Sequence, residues 1–239
     1  MNIAAKKPKG SGTADHYAGD MILQTLRAQI LSGKLLPGQR IHQGELAKSF
    51  HVSRTPIHEV LLRLHEEELV RLVPNGTVTV VVLTSEDIEE ILGIMASLEI
   101  TASRTAACKV GEREKSELRE IAGELDAAVN KQDSLLSFRA GYRLHDMIFA
   151  VAGNKRAQRI FRRLSGQLQR NLFIAEQGSG MLTLISNEQK AIIDVLLSGD
   201  PNETEITMRR HLSVVRSLLL QSNAMNEKLN QLLSNLKST

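Results

Sequence analysis

Four closely spaced positions carry side chains suited to reading double-stranded DNA: Ser53, Arg54, Thr55 and His58. An arginine offers a fork of donors that matches O6 and N7 of guanine, and serine and threonine hydroxyls reach phosphates or base edges. These positions flank the start of an apolar stripe, Ile57, Val60, Leu61 and Leu64, whose i, i+3, i+4, i+7 spacing predicts a helix with one buried face. Ser53 or Thr55 is placed to cap that helix, and Pro56 falls in its first turn, where a missing N–H costs nothing. The helix start therefore combines base-reading side chains with a terminus that attracts phosphate. Arg63, further along, is positioned for the DNA backbone. On position alone, Arg54 reads equally well as a solvated surface charge.

The surrounding elements must hold this helix against a groove. Ile22, Leu26 and Ile30 recur every four residues and mark a first helix, stopped by Gly33 and followed by a turn at Pro37-Gly38. A short helix from Gln43 to Phe50 and a turn at His51-Val52 lead into the reading helix. Beyond Glu68 the texture becomes β-branched: Leu69 to Val73 and Thr77 to Val82 read as a hairpin around Pro74-Asn75-Gly76. Asn75 and Gly76 form its tip, small enough to let backbone approach DNA. Three helices and a hairpin, in this order, are a winged helix-turn-helix.

From Thr84 onward the pattern is helical throughout. Helices are expected over roughly 85–109, 112–130, 133–152, 155–176, 181–198 and 201–222, punctuated by glycines and the Gly199-Asp200-Pro201 turn. Met225, Leu229, Leu232 and Leu236, spaced 4-3-4, suggest one further helix packed on the body. The fold class is mainly α, with an N-terminal winged helix-turn-helix followed by an all-α helical bundle. The expected organisation is a disordered tail over 1–15, a DNA-binding domain over 16–83, and a helical effector-binding and dimerisation domain over 84–239.

Bulk properties fit this reading. The chain has 239 residues, enough for two domains, with 42% hydrophobic and 24% charged residues. No apolar run approaches the ~18 residues of a membrane span, and the first twelve residues lack the apolar core of a secretory signal. A cytoplasmic location without a membrane partner is expected. The single cysteine, Cys108, cannot form an intrachain disulfide and reads as a buried helix residue. Aromatic residues make up only 3%, which leaves little for stacking single-stranded nucleic acid. Residues 1–84 carry ten Lys/Arg against seven Asp/Glu, a balance of +3, and residues 85–239 carry twenty of each. Three of the N-terminal lysines lie in the tail, so charge alone argues weakly for nucleic acid. No nucleophile–base pair, phosphate loop or paired acidic motif is recognisable, so no catalytic residue is assigned and the chain is not read as an enzyme.

The run Gly33, Pro37-Gly38, Leu46-Ala47, Val52-Ser53-Arg54-Thr55-Pro56, Leu61, Leu64, Leu69-Val70 and Pro74-Asn75-Gly76 resembles the winged helix of the bacterial GntR family almost position by position. Two departures stand out. The family usually has arginine at the position of His58, and often arginine or glutamate at that of Gly44. The later stretch, with Leu98-Glu99, His145 to Asn154, Leu197 to Asp200 and His211-Leu212, resembles the family's FadR-type sensor domain, of the FCD type.

The resemblance implies a homodimer that binds an inverted-repeat operator and answers to a small-molecule effector, acting as a repressor. It also implies a pocket. Typical members hold a divalent metal on an aspartate, a histidine four residues later and two further histidines, with an arginine nearby for a carboxylate effector. Carried across, His145 and His211 match two of the histidines. The aspartate position is Gly141, the third histidine position is Gln189, and the arginine position is Met95. Asp146 does not substitute, because one step along a helix rotates a side chain by about 100°. His145 and His211 therefore read as pocket histidines hydrogen-bonded to neighbours, Gln189 among them, or as ligands of a weakly held divalent metal. No cofactor is assigned. Burying a carboxylate without a charge partner is costly, so the pocket is expected to prefer an apolar or neutral effector, or to be empty. The alternative functions are a metal-dependent effector sensor with a partial metal site, and a ligandless DNA-binding protein whose pocket has decayed.

Overall fold

A computed structural model describes residues 12–73, 77–176 and 180–237, with side chains described from Gly19 to Met225 and at Lys228. The chain divides between Val82 and Leu83 into two compact units. Asn75 and Gly76 lie outside the described residues, as do the side chains of Leu229, Leu232 and Leu236.

The first unit runs α1 (Gly12–Leu31), β1 (Arg40–Ile41), α2 (Gln43–Ser49), α3 (Arg54–Glu66), β2 (Val70–Val73) and β3 (Thr77–Val80). Ile22, Leu26, Ile57, Leu61, Leu64 and Val78 are completely buried and form its core. At about 25 cal/mol per Å² of apolar surface, each such side chain contributes roughly 1.5–3 kcal/mol against the entropy of ordering the chain. The α2–α3 turn holds His51 in the left-handed region at φ 55° and is tied by the Val52 amide donating to the Ala47 carbonyl.

Three features of this unit differ from expectation. The hairpin is part of a three-stranded antiparallel sheet in the order β1-β3-β2, with Arg40 opposite Thr79 and Ile41 opposite Val78. A two-residue strand has no periodicity to read; only its pairing defines it. Helix α1 begins at Gly12, inside the expected tail, since no proline interrupts the chain between Pro8 and Pro37. Leu83, expected with the first unit, packs against the core of the second.

The second unit is α4 (Ser85–Ala107), α5 (Glu112–Lys131), α6 (Ser134–Ala152), α7 (Lys155–Glu176), α8 (Met181–Ser198) and α9 (Pro201–Lys237). It has no strand among its described residues. Thr84 and Asp87 form a capping box at the start of α4, the Thr84 hydroxyl accepting from the Asp87 amide and the Asp87 carboxylate from the Thr84 amide. Helix α4 packs on α6 and α9, α5 on α6 and α8, and α7 closes one side against α6 and α9. The core is continuous through Ile88, Leu118, Ile121, Leu144, Phe149, Ile192 and Met208. Among the described residues no helix is long and apolar enough to cross a membrane.

Two corrections apply here. The expected last two helices are one, α9, of 37 residues, because Gln221 to Ala224 contain neither glycine nor proline to end it. Cys108 is exposed: α4 ends at Ala107 and Cys108 is its C-cap.

Candidate functional site

The helix-turn-helix places its predicted reading residues on one exposed surface. Ser53, Arg54, Thr55 and His58 are all exposed, while Ile57, Val60, Leu61 and Leu64 turn inward. Ser53 is the N-cap of α3 in extended conformation, and its side chain makes no cap hydrogen bond. Its hydroxyl and the free amides of the first turn are thus open to an acceptor from outside. Arg54 has no ion-pair partner among the described residues, and its guanidinium lies over α2: a Cβ added at Gly44 would sit 3.6 Å from Nη2. Arg63 differs. Its Nη1 meets the Asp20 carboxylate on α1 at 2.7 Å, with both side chains about half exposed. A phosphate would have to compete with Asp20 for it.

The second candidate site is a cavity of about 70 Å³ inside the helical unit. It is lined by all five predicted pocket residues: Met95 from α4, Gly141 and His145 from α6, Gln189 from α8 and His211 from α9. Met95 lines the space without closing it. The sequence reading did not assign Glu99 and Glu176, which line the same cavity and are 2% and 4% exposed. Both were signalled by pattern. Glu99 continues the buried stripe of Ile88, Leu92 and Met95, and Glu176 continues that of Leu168 and Leu172, where an acid has no solvent to face.

His145 meets Glu99, not Gln189: Nδ1 and Oε2 are 2.5 Å apart, an ion-pair contact without the alignment of a linear hydrogen bond. Burial disfavours the charged imidazole, but the adjacent carboxylate outweighs it, so the affinity of His145 for a proton is raised. The His211 ring lies 5.2 Å from that of His145, its Nδ1 unpartnered, and burial followed by the nearby His145 charge holds it neutral, well below the ordinary histidine range. Phe161 stacks beside His145 and on Phe149. Burial pushes the Glu176 carboxyl up to about 8, partly offset by a hydrogen bond from Ser137. Asp146 turns away to α7, where Arg162 grips both its oxygens at 2.6 and 2.7 Å.

Gln189 packs against the backbone of α6. A Cβ built on Gly141 would lie 2.1 Å from Gln189 Nε2, so the amide fills the space a side chain at 141 would need. These residues do not fit the family's metal. Gly141 supplies no donor, Gln189 occupies its place, and His145 Nδ1 is already against Glu99. No group of three or more His, Cys, Asp or Glu that could hold a metal ion occurs among the described residues. The close approach has a testable cost. Gly141→Ala should displace the Gln189 amide into the cavity, an overpacking penalty of about 1 kcal/mol that cancels the gain of about 1 kcal/mol expected of alanine for glycine inside a helix. Made in a Gln189→Ala background, where the amide is gone, the same change should raise the melting temperature. An equal rise in both backgrounds would contradict the packing described.

Comparison with known proteins agrees with both halves. Residues 18–80 match the family of bacterial regulatory proteins of the gntR family, and residues 90–214 match the FCD domain. The HTH-type transcriptional regulator YdhC of Bacillus subtilis is 25% identical over 170 residues, 71% of this chain and 76% of that protein. A regulator from the ttuE-ttuC' intergenic region of Agrobacterium vitis is 32% identical over 130 residues, 53% of this chain and 76% of its own. The solved structure of E. coli McbR/YncC superposes with a TM-score of 0.74 at 20% identity, covering 85% of this chain and 97% of that one, and so shares the fold. With a winged helix-turn-helix, a helical domain of FCD type and these relatives, the chain belongs to the GntR family of bacterial transcriptional regulators, DNA-binding proteins and not enzymes.

Proposed function

We propose that this protein is a homodimeric repressor that reads an inverted repeat with the start of α3 and is controlled by a small molecule in the helical cavity. The observation that carries the reading is the exposed cluster at the α3 N-terminus, with Arg54 free of any carboxylate among the described residues. Arg54 takes guanine; Ser53 and Thr55 take phosphate or base edges; His58 is a weaker donor than the family's arginine. Arg63 contacts phosphate once released from Asp20, and Asn75 and Gly76 approach the backbone at the wing. In this scheme residues 16–83 bind DNA and residues 84–239 bind the effector and the second copy. Cytoplasmic location follows from DNA as the partner.

Selection of binding sites from random DNA tests the first half, with an inverted repeat as the expected outcome. The effector half is tested by screening small molecules for release of the selected operator. One small winged helix reads few bases, which motivates the dimer. Light scattering at micromolar concentration should give twice the 26.4 kDa chain mass, and a 26.4 kDa particle would remove the dimer.

The cavity works here without a resident metal. A stable zinc or nickel site takes three or four good ligands, and among the described residues the lining has two histidines, His145 and His211. Metal analysis after extensive dialysis should return far less than one equivalent per chain. Near-stoichiometric zinc, nickel or manganese would show that His145 leaves Glu99 to bind metal.

A further inference from the structure

The lining of the helical cavity has more acceptors than donors. Among the described residues it contains no lysine or arginine, and its candidate cation, His145, is already matched by Glu99. Beyond the Glu99–His145 contact, three polar atoms of the lining remain without a hydrogen-bond partner: Glu176 Oε2, on a residue 4% exposed, Gln189 Oε1, on a residue 5% exposed, and Nδ1 of the neutral His211. Leaving a buried polar group without a hydrogen-bond partner is destabilising. A fold gains nothing from such a group in that place.

The rest of the lining is apolar or aromatic, including Leu168, Leu172, Phe138 and Phe161. Aromatic faces attract cations. An anion would meet the Glu99–His145 pair and a carboxyl that must stay protonated, with no lysine or arginine among the described lining residues to receive its charge, which disfavours a carboxylate effector.

We infer that the effector of this cavity is an organic ammonium ion with a short apolar body, its N–H groups donating to Glu176 Oε2 and Gln189 Oε1. This rests on the reading of the cavity as the effector site. It also replaces the apolar or neutral ligand expected from the loss of metal and arginine alone, because that expectation did not include Glu176. A cavity of about 70 Å³ suits a body of about four carbons, being roughly half the size of one that holds benzene.

The proton balance is explicit. The empty cavity keeps Glu176 protonated at neutral pH. The arriving ammonium retains its own protons, and Glu176 gives one proton to solvent as the ion pair forms. The other titratable groups facing the cavity are Glu99 on α4, Tyr142 and His145 on α6, and His211 on α9, while α8 supplies the uncharged Gln189. His145 is paired with Glu99 and its proton affinity is raised, that of His211 lies well below the ordinary histidine range, and Tyr142 is pushed up by burial and by Asp146, so Glu176 is the proton source.

Three probes of equal length decide the matter on the full chain: butylammonium, 1-butanol and butanoate. Butylammonium should raise the melting temperature saturably and the other two should not. Its affinity should rise by up to tenfold per pH unit from pH 6 towards pH 8. Calorimetry in two buffers of different ionisation enthalpy should show close to one proton released per chain at pH 6.5. Glu176→Gln should abolish both the affinity and the proton release. Preferential binding of butanoate or 1-butanol overturns the ammonium assignment and leaves the effector reading intact. So does butylammonium binding without proton release. If none of the three binds, the ammonium assignment falls, and the effector reading is then decided separately by the operator-release screen.

Discussion

Arg54→Ala is expected to weaken binding to the selected operator by roughly 30-fold to 10⁴-fold while leaving the melting temperature where it was. One bidentate arginine–guanine contact is worth about 1–3 kcal/mol, and a symmetric dimer loses two, with each ~1.4 kcal/mol a factor of ten. The fold should not notice. Arg54 is exposed, makes no ion pair among the described residues and has its guanidinium beside Gly44; surface changes of this kind stay within about 0.5 kcal/mol. The comparison must be made at one salt concentration, because the phosphate contacts that remain are salt-dependent. Non-specific DNA should lose far less affinity than the operator. Unchanged operator affinity would move the reading surface away from the start of α3.

Glu176→Gln should stabilise the protein, and the gain should grow with pH. Burial pushes the carboxyl of the folded chain up to about 8, from 4.5 for an ordinary glutamate. The folded state therefore holds the proton more tightly than the unfolded state, and stability is greatest below about 4.5 and falls as pH rises to about 8. At ~1.4 kcal/mol per unit, the native chain forfeits roughly 3–5 kcal/mol across that window. Glutamine keeps the shape and most of the hydrogen bonding and titrates nowhere. Melts at pH 5, 6, 7 and 8 should show the two proteins close together at pH 5 and the variant clearly ahead at pH 8. A variant that melts at or below the native chain at pH 8 would mean that Glu176 has a cationic partner or sits in water.

Much of the architecture was legible in the sequence because it rests on local periodicity. Ile22, Leu26 and Ile30 are 0–4% exposed, and Ile57, Leu61 and Leu64 fully buried, as their spacing required. What escaped was non-local. Arg40–Ile41 is a strand only because Thr79 and Val78 lie opposite it. The continuity of α9 escaped for a different reason, since a break was placed where no residue breaks a helix. In the cavity, the positions carried over from the family did come together, but their partners did not follow from them. Glu99 and His145 are 46 positions apart on separate helices, and nothing local links them. Glu176 could have been found by asking why an acid continues an apolar stripe. That Arg63 is shared with Asp20 was equally invisible, because α1 and α3 meet only in the folded unit.

The contact between Gly141 and Gln189 also limits how this sequence can drift. With the amide where a Cβ would stand, any larger residue at 141 meets the side chain at 189 before it meets anything else. The two positions are therefore epistatic: the effect of a change at one depends on the residue at the other, and their free energies do not add. The order of change matters as well. A lineage that gains an aspartate at 141 has an easy route only if position 189 shortens or becomes histidine first, while the reverse order passes through an overpacked intermediate. Homologues should accordingly vary at these two sites as a pair.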